Sequence, residues 1–221
     1  MDETCYYCGN VATSDEHTPP KCIFPRIKDT NDGIDYRNNL IKVPSCDIHN
    51  TLKSKEDEYL LYVLAMSLPS NDVAKNQFLT KILRAIKRRP MLLERLLIET
   101  QDVTIHDTVN DIWHKTIAIK PEEQRLVSIF THIAKALYFY ELGTIWEDDI
   151  SIFTEFMLSL TDVEQNERQQ LMENELNTML ECTPMKGNNP DVFSYQFDQL
   201  GGKTLIRLHF YGNSKVTAVS V

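Results

Sequence analysis

No apolar stretch in the chain approaches the ~18 uninterrupted residues of a membrane-spanning helix, so no membrane partner is expected. The start, Met1-Asp2-Glu3, has neither the basic nor the apolar region of a secretion signal, and the expected location is therefore the cytoplasm. Thiols stay reduced there, which turns the five cysteines into candidate metal ligands or core residues rather than a disulfide framework. Internal repeats and low-complexity segments are missing too. With 42% hydrophobic and 25% charged residues, the composition is that of a folded chain and excludes a disordered one. Positive charge is in short supply: 23 Lys and Arg stand against 32 Asp and Glu, a net charge of -9. That balance opposes a phosphate backbone over most of the surface and leaves a local patch as the route to one. Acidic residues gather at Glu147 to Asp149 and Asp162 to Glu175, whereas Lys81 to Arg95 is locally basic.

At 221 residues the chain has room for one substantial domain or for a small module joined to a larger one. From Met1 to about Lys53 it is rich in Cys, Pro, Asn and Asp, with short apolar runs such as Ile41-Lys42-Val43, as in loop-rich metal modules. From Ser54 onward Leu60, Leu61, Leu64, Phe78, Ile82 and Ile86 recur at helical spacing, followed by Leu92, Leu93, Leu96 and Leu97 after Pro90, which suits a first helical turn. Pro121 to Leu142 is the clearest helix, lined by Leu126, Phe130, Ile133 and Leu137 and stopped by Gly143. Ile150 to Leu160 fits a strand or a helix equally well, and Asn166 to Glu181 reads as a polar helix. Phe193 to Phe197 alternates aromatic with polar, Gly201-Gly202 marks a turn, and Leu205 to Tyr211 and Lys215 to Val221 follow as strands. The expected class is α+β. Residues 1–60 form a zinc-bound module, and residues 61–221 form a mainly helical domain that ends in a small antiparallel sheet.

Cys5 and Cys8 make a CxxC pair, and Cys46 and His49 a CxxH pair; each sets two zinc-type donors on one tight turn, and together they complete a tetrahedral shell. Cys22 and Cys182 have no partner at such spacing and read as core residues. Between the pairs stand Glu16-His17-Thr18-Pro19 and Asn39-Leu40-Ile41-Lys42-Val43, and Asn50 follows the second pair directly. This order resembles the HNH endonucleases with a zinc-clamped ββα-metal site, over about a quarter of the chain.

The resemblance implies His17 as the general base, because a neutral imidazole can take a proton from water near neutral pH. It implies Glu16 and Asn50 as ligands of a catalytic divalent cation, Mg2+ or Mn2+, and Asn39 as a side chain that ties two backbone segments so that His17 is aimed. Where the family often has a further His one helical turn on, this chain has Ser54. Asp57, at i+7 from Asn50, either supplies the missing carboxylate or belongs with Lys53, Lys55, Glu56 and Glu58 to a solvated helical face. His106, His114, His132 and His209 fall at unrelated spacings and read as packed or surface side chains.

Lys81, Arg84, Lys87, Arg88, Arg89 and Arg95 are candidates for a phosphate-facing stripe or a solvated face. The expected function is hydrolysis of phosphodiester bonds in nucleic acid, with DNA preferred on the family pattern, in host defence or a mobile element. The alternative is a nonhydrolytic zinc module that binds nucleic acid or a partner protein. A third arrangement cuts only when a partner protein is present.

Overall fold

In the computed structural model, which describes residues 3–30, 33–51, 54–91, 99–107 and 110–221, the chain opens with two short antiparallel strands, β1 (Ser14–His17) and β2 (Lys42–Ser45). Ser14 pairs with Ser45 and His17 with Lys42, so the two ends of β1 face different neighbours. Helix α1 (Asp47–Thr51) follows β2, and α2 (Ser54–Ala65) comes next, burying Leu60, Leu61 and Leu64. Asn71 caps α3 (Asp72–Gln77) by accepting from the Ala74 amide at 3.2 Å. A π-helical turn (Phe78–Ile82) and α4 (Leu83–Arg88) continue it. The helix expected after Pro90, with Leu92, Leu93, Leu96, Leu97 and Arg95, lies outside the described residues, as does Lys53.

The central part is less helical than its sequence suggests. Strands β3 (Thr100–Asp107) and β4 (Ile112–Ile119) pair along their whole length as an exposed ribbon, with Trp113 stacked on His106 at 4.3 Å. The β-branched residues Val103, Ile105, Ile112, Thr116 and Ile117 suit a pleated surface, and this local preference outweighs the surrounding helical context.

Helix α5 (Glu123–Leu142) turns a stripe of Leu126, Ile129, Phe130, Ile133 and Leu137 into the core. It stops at Gly143, whose φ of 69° closes the last turn by donating to the Phe139 carbonyl at 2.8 Å. Strand β5 (Ile150–Thr154) resolves the ambiguous segment in favour of sheet. Helix α6 (Val163–Met179), capped by Asp162, precedes β6 (Lys186–Asn189), β7 (Phe193–Leu200), β8 (Lys203–Phe210) and β9 (Ser214–Ser220). The antiparallel C-terminal sheet has the order β5-β9-β8-β7-β6.

Strand β8 is buried on both faces. Ile206, Leu208 and Phe210 enter the main core with Phe130, Ile133 and Leu60, and Leu205 meets Leu176 and Leu180 on the other face. Ile23, Phe24 and Tyr36 belong to that same main core. The Ile23 carbonyl accepts from both Tyr211 and Gln77, so the N-terminal segment is packed into the rest of the fold and not appended to it.

Arg207 is buried on the α6 side of the sheet, where its guanidinium grips the Glu155 carboxylate and donates to Asn177 at 2.7 Å; Thr217 also donates to Glu155, at 2.6 Å. Removing one partner of such a pair strands the other charge in a dry site. Arg207→Leu is therefore expected to lower the free energy of unfolding by about 3–5 kcal/mol, as measured by urea denaturation.

Burial, reinforced by Arg207 and Lys215, holds the neighbouring His209 down to about 4. Above the ordinary value of 6.5 the ring is neutral in folded and unfolded chains alike and contributes nothing to the pH dependence. As pH falls from 6.5 towards 4, the unfolded chain takes up a proton that the folded one refuses, so stability falls. The loss should reach on the order of 3 kcal/mol at the lower end. Urea titrations across that window should show a shallower loss for His209→Gln.

Candidate metal centre and adjoining cavity

The knuckle that carries Cys5 and Cys8 is closed by backbone bonds from Cys5 to the Asn10 carbonyl (2.7 Å) and from Gly9 to the Cys5 carbonyl (3.0 Å), and Tyr6 anchors it to Pro44 of β2 at 2.9 Å. Gly9 adopts a φ of 74°, which favours glycine, and a Cβ there would press on Ile145. At the end of β2 the chain turns into α1, and amides of His49 and Asn50 both donate to the Cys46 carbonyl. This brings Cys46 and His49 under the knuckle.

The donor atoms of Cys5, Cys8, Cys46 and His49 all lie within 4.8 Å of one another. Cys8 Sγ is 3.8 Å from Cys46 Sγ, Cys5 Sγ is 3.7 Å from His49 Nδ1, and Cys46 Sγ is 3.2 Å from the same nitrogen. A tetrahedral zinc bonded at about 2.3 Å to sulfur and about 2.0 Å to nitrogen sets its donors roughly 3.5–3.8 Å apart, close to these edges. Burial works against a thiolate at Cys5, but the backbone amides of Tyr7, Cys46 and Cys8 outweigh it and bring the thiol down to about 6. At Cys8 the Asn10 amide favours the thiolate, yet desolvation and the neighbouring Cys5 and Cys46 leave the thiol raised. Crowded sulfurs cannot all ionise without a cation between them, so the donor chemistry fits a metal such as zinc.

A column of rings leads away from this centre. Tyr7 lies 4.5 Å from the His49 ring and stacks on His132 of α5 at 4.4 Å and 10°, with Lys135 Nζ 5.2 Å from the Tyr7 centroid. His132 Nδ1 is 2.8 Å from the Ser128 carbonyl. A carbonyl can only accept, so this nitrogen carries a proton.

Beside the column is a cavity of about 50 Å³ bordered by Glu16, His17, Thr18, Glu56, Asp57 and His132. The structure thus brings Glu16, His17 and Asp57 together. Burial, then Lys21 and Lys42, lowers the pKa of His17 and favours the neutral ring. Glu16 is buried and accepts from Tyr6 at 3.3 Å. Glu56 is engaged by Arg125, whose Nε and a terminal nitrogen approach its two oxygens at 2.5 and 3.2 Å. Thr18 is 2% exposed, and its Oγ1 is buried without a hydrogen-bond partner among the described residues. A buried hydroxyl ordinarily finds a partner, in protein or in an ordered water.

Other expected positions are not gathered here. Asn50 donates to Ser14 Oγ at 2.8 Å, at the end of β1 away from His17, because it follows directly on the zinc turn beside Ser45. Asn39 is exposed in a left-handed turn with φ 51°. A tie between segments is present, but it runs the other way, since Asn188 and Asn189 donate to the Asn39 and Asn38 carbonyls at 3.0 Å each. Of the basic stripe, Lys81 donates to the Cys22 carbonyl, Arg84 pairs with Asp29 and Arg89 pairs with Glu58, while Lys87 and Arg88 are exposed. Cys182, read as a core residue, is exposed; Cys22 is half-buried, and burial pushes its thiol up to about 12.

The place of His132 beside this cavity was not legible in the sequence, because its spacing matches no metal motif and it lies far from His17 along the chain. Among the described residues, the zinc-type cluster is the one group whose donors converge so tightly. No family model matches the chain, and neither a curated protein nor a solved structure matches it.

Proposed function

We propose that the protein is a metal-dependent endonuclease of the HNH type, hydrolysing phosphodiester bonds in nucleic acid with DNA as its substrate. The observation that carries this reading is the meeting of His17, Glu16 and Asp57 around one cavity, which the stacked rings of His132 and Tyr7 link to the zinc-type Cys/His cluster. Their order along the chain, and the resemblance it carries, support the same conclusion.

His17 is the general base. Its depressed pKa keeps the imidazole unprotonated near neutral pH, ready to accept a proton from an attacking water. Glu16 and Asp57 are the carboxylates that hold Mg2+ or Mn2+, in part through water, as a small hard cation that sheds its hydration reluctantly prefers. When bound, the cation stabilises negative charge on the phosphate and on the leaving oxygen. Glu56 is neutralised by Arg125 and serves the cavity as a fixed dipolar wall, not as a ligand. A volume of about 50 Å³ accommodates a few waters or a hydrated ion but no nucleotide, so the phosphate is met at the mouth of the cavity.

The test is nicking of supercoiled plasmid by the zinc-loaded protein. Cleavage should require added Mg2+ or Mn2+. The competing reading, a zinc module that binds nucleic acid or a partner protein without cutting, draws on the displacement of Asn50 and on the net charge of -9. It gains if zinc is present and neither duplex nor single strand is cut with either cation.

A further inference from the structure

We propose that Lys21, Arg26, Lys28 and Arg37 form a phosphate-binding track that leads a nucleic-acid strand to the cavity of His17. The proposal rests on the substrate being nucleic acid, as argued above.

One segment builds the track. Pro20 borders the cavity, Lys21 directly after it opens the 3-10 turn Lys21–Ile23, and Arg26 leads into a second such turn, Ile27–Asp29. Two cations from elsewhere are fastened to carbonyls of this segment: Arg37 donates through Nε to Phe24 at 3.0 Å, and Lys81 donates to Cys22 at 2.6 Å. Anchoring Arg37 through Nε leaves its two terminal nitrogens for a phosphate, whose oxygens match that fork. Next to His17, Lys42 is its partner across the β1–β2 pair, which puts both side chains on one face of the ribbon. The charges of Lys21, Lys42 and Arg37 all reach the His17 ring, and those of Arg26 and Arg37 reach Lys81, as expected of neighbours and not of cations scattered along a loop.

Pairing sets this group apart. In a chain of net charge -9 carboxylates are plentiful, and Arg84, Arg89, Arg125 and Arg207 are each held by one. Lys21, Arg26 and Lys28 are exposed and have neither an ion pair nor a side-chain hydrogen bond among the described residues, while Lys42 has only Asp15, at 3.9 Å. Nearby acids are occupied: Asp29 is buried against Arg84, and Asp35 accepts from the Arg37 amide. A surface that stays positive on an otherwise acidic chain is what local capture of a polyanion requires. Its continuity with the cavity, through Pro20 and Lys21, favours a nucleic-acid strand over an acidic protein.

Fluorescence anisotropy of the full-length, zinc-loaded protein with a labelled DNA duplex, read without Mg2+ or Mn2+ over a series of KCl concentrations, tests this. Lys21→Ala and Arg26→Ala should each flatten the plot of log affinity against log salt by about 0.9 and weaken binding several-fold whatever the sequence. Zinc content and melting temperature should not change, because neither side chain holds a partner. Lys203→Ala, at an exposed lysine of β8, should leave the slope where it is. If the Lys21 and Arg26 variants share the wild-type slope, the track is wrong, and Mg2+-dependent nicking decides the nuclease reading separately. A wild type that binds no duplex at low salt also overturns the track. So does displacement of the duplex by poly-glutamate as readily as by unlabelled DNA at equal charge, which would point to an acidic protein partner. Slopes that fall as expected in a protein that nicks nothing support the track and sink the hydrolytic reading.

Discussion

His17→Ala is expected to lower plasmid nicking by about a hundred- to ten-thousandfold while leaving zinc content and melting behaviour close to wild type. The effect on rate is large because a positioned imidazole is the proton acceptor, while Glu16 is buried against Tyr6 and Glu56 is held by Arg125. The effect on stability is small because His17 is half-buried at a strand end and outside the hydrophobic core. The pH profile gives a second readout. Burial, Lys21 and Lys42 lower the pKa of this ring, partly offset by Asp15, so the acid limb of the rate should fall below the ordinary 6.5. The rate should climb with pH through that limb, since the active form is the neutral one, and then level off. An unchanged nicking rate in His17→Ala would remove the base from the mechanism and with it the strongest reason to call the cavity catalytic.

Stripping zinc should have the largest effect on the fold. In small zinc modules structural zinc supplies about 10–16 kcal/mol of apparent binding energy at neutral pH. Here the segment from Cys5 to Cys46 is fixed by two short strands and by the metal donors, with Tyr6, Val43 and Ala136 forming a small cluster beneath. Loss of the metal leaves Cys5, Cys8 and Cys46 as mutually repelling or protonated sulfurs, and releases His49 from Tyr7. The same segment donates Ile23 and Phe24 to the main core, so unfolding should spread beyond the module. A strong chelator should therefore lower the melting temperature of the whole chain in one transition, and Cys46→Ser should do so without a chelator. Metal analysis should give zinc in the native protein. A zinc-free native protein whose melting ignores chelators would overturn the assignment of the four donors.

Much of the site was legible from local chemistry. A CxxC or CxxH turn works within a few residues, so Cys5, Cys8, Cys46 and His49 declare themselves by spacing, and the geometry brings them within 4.8 Å. Gly143 and the stripe of α5 likewise follow from short-range rules, as do the strands after Val192. The β3–β4 ribbon was also present in the sequence, in Val103, Ile105 and Ile117, but short runs of β-branched residues flanked by helices are easily absorbed into them. Asn50 was misplaced for a different reason. Adjacency to the zinc turn fixed its backbone but not its partner, and pairing with Ser14 drew it to the other end of β1.

What the amino-acid sequence determined by itself is what depends on neighbours along the chain: donor pairs, caps, periodic faces and the identity of the chemical groups available. Only the tertiary structure decided that Glu56 is paired with Arg125, that Asn188 and Asn189 hold the Asn38–Asn39 turn, and that His132 borders the same cavity as His17. These contacts join residues far apart in sequence, and their partners are chosen by how α5 and the C-terminal sheet pack against the module, which no local spacing records.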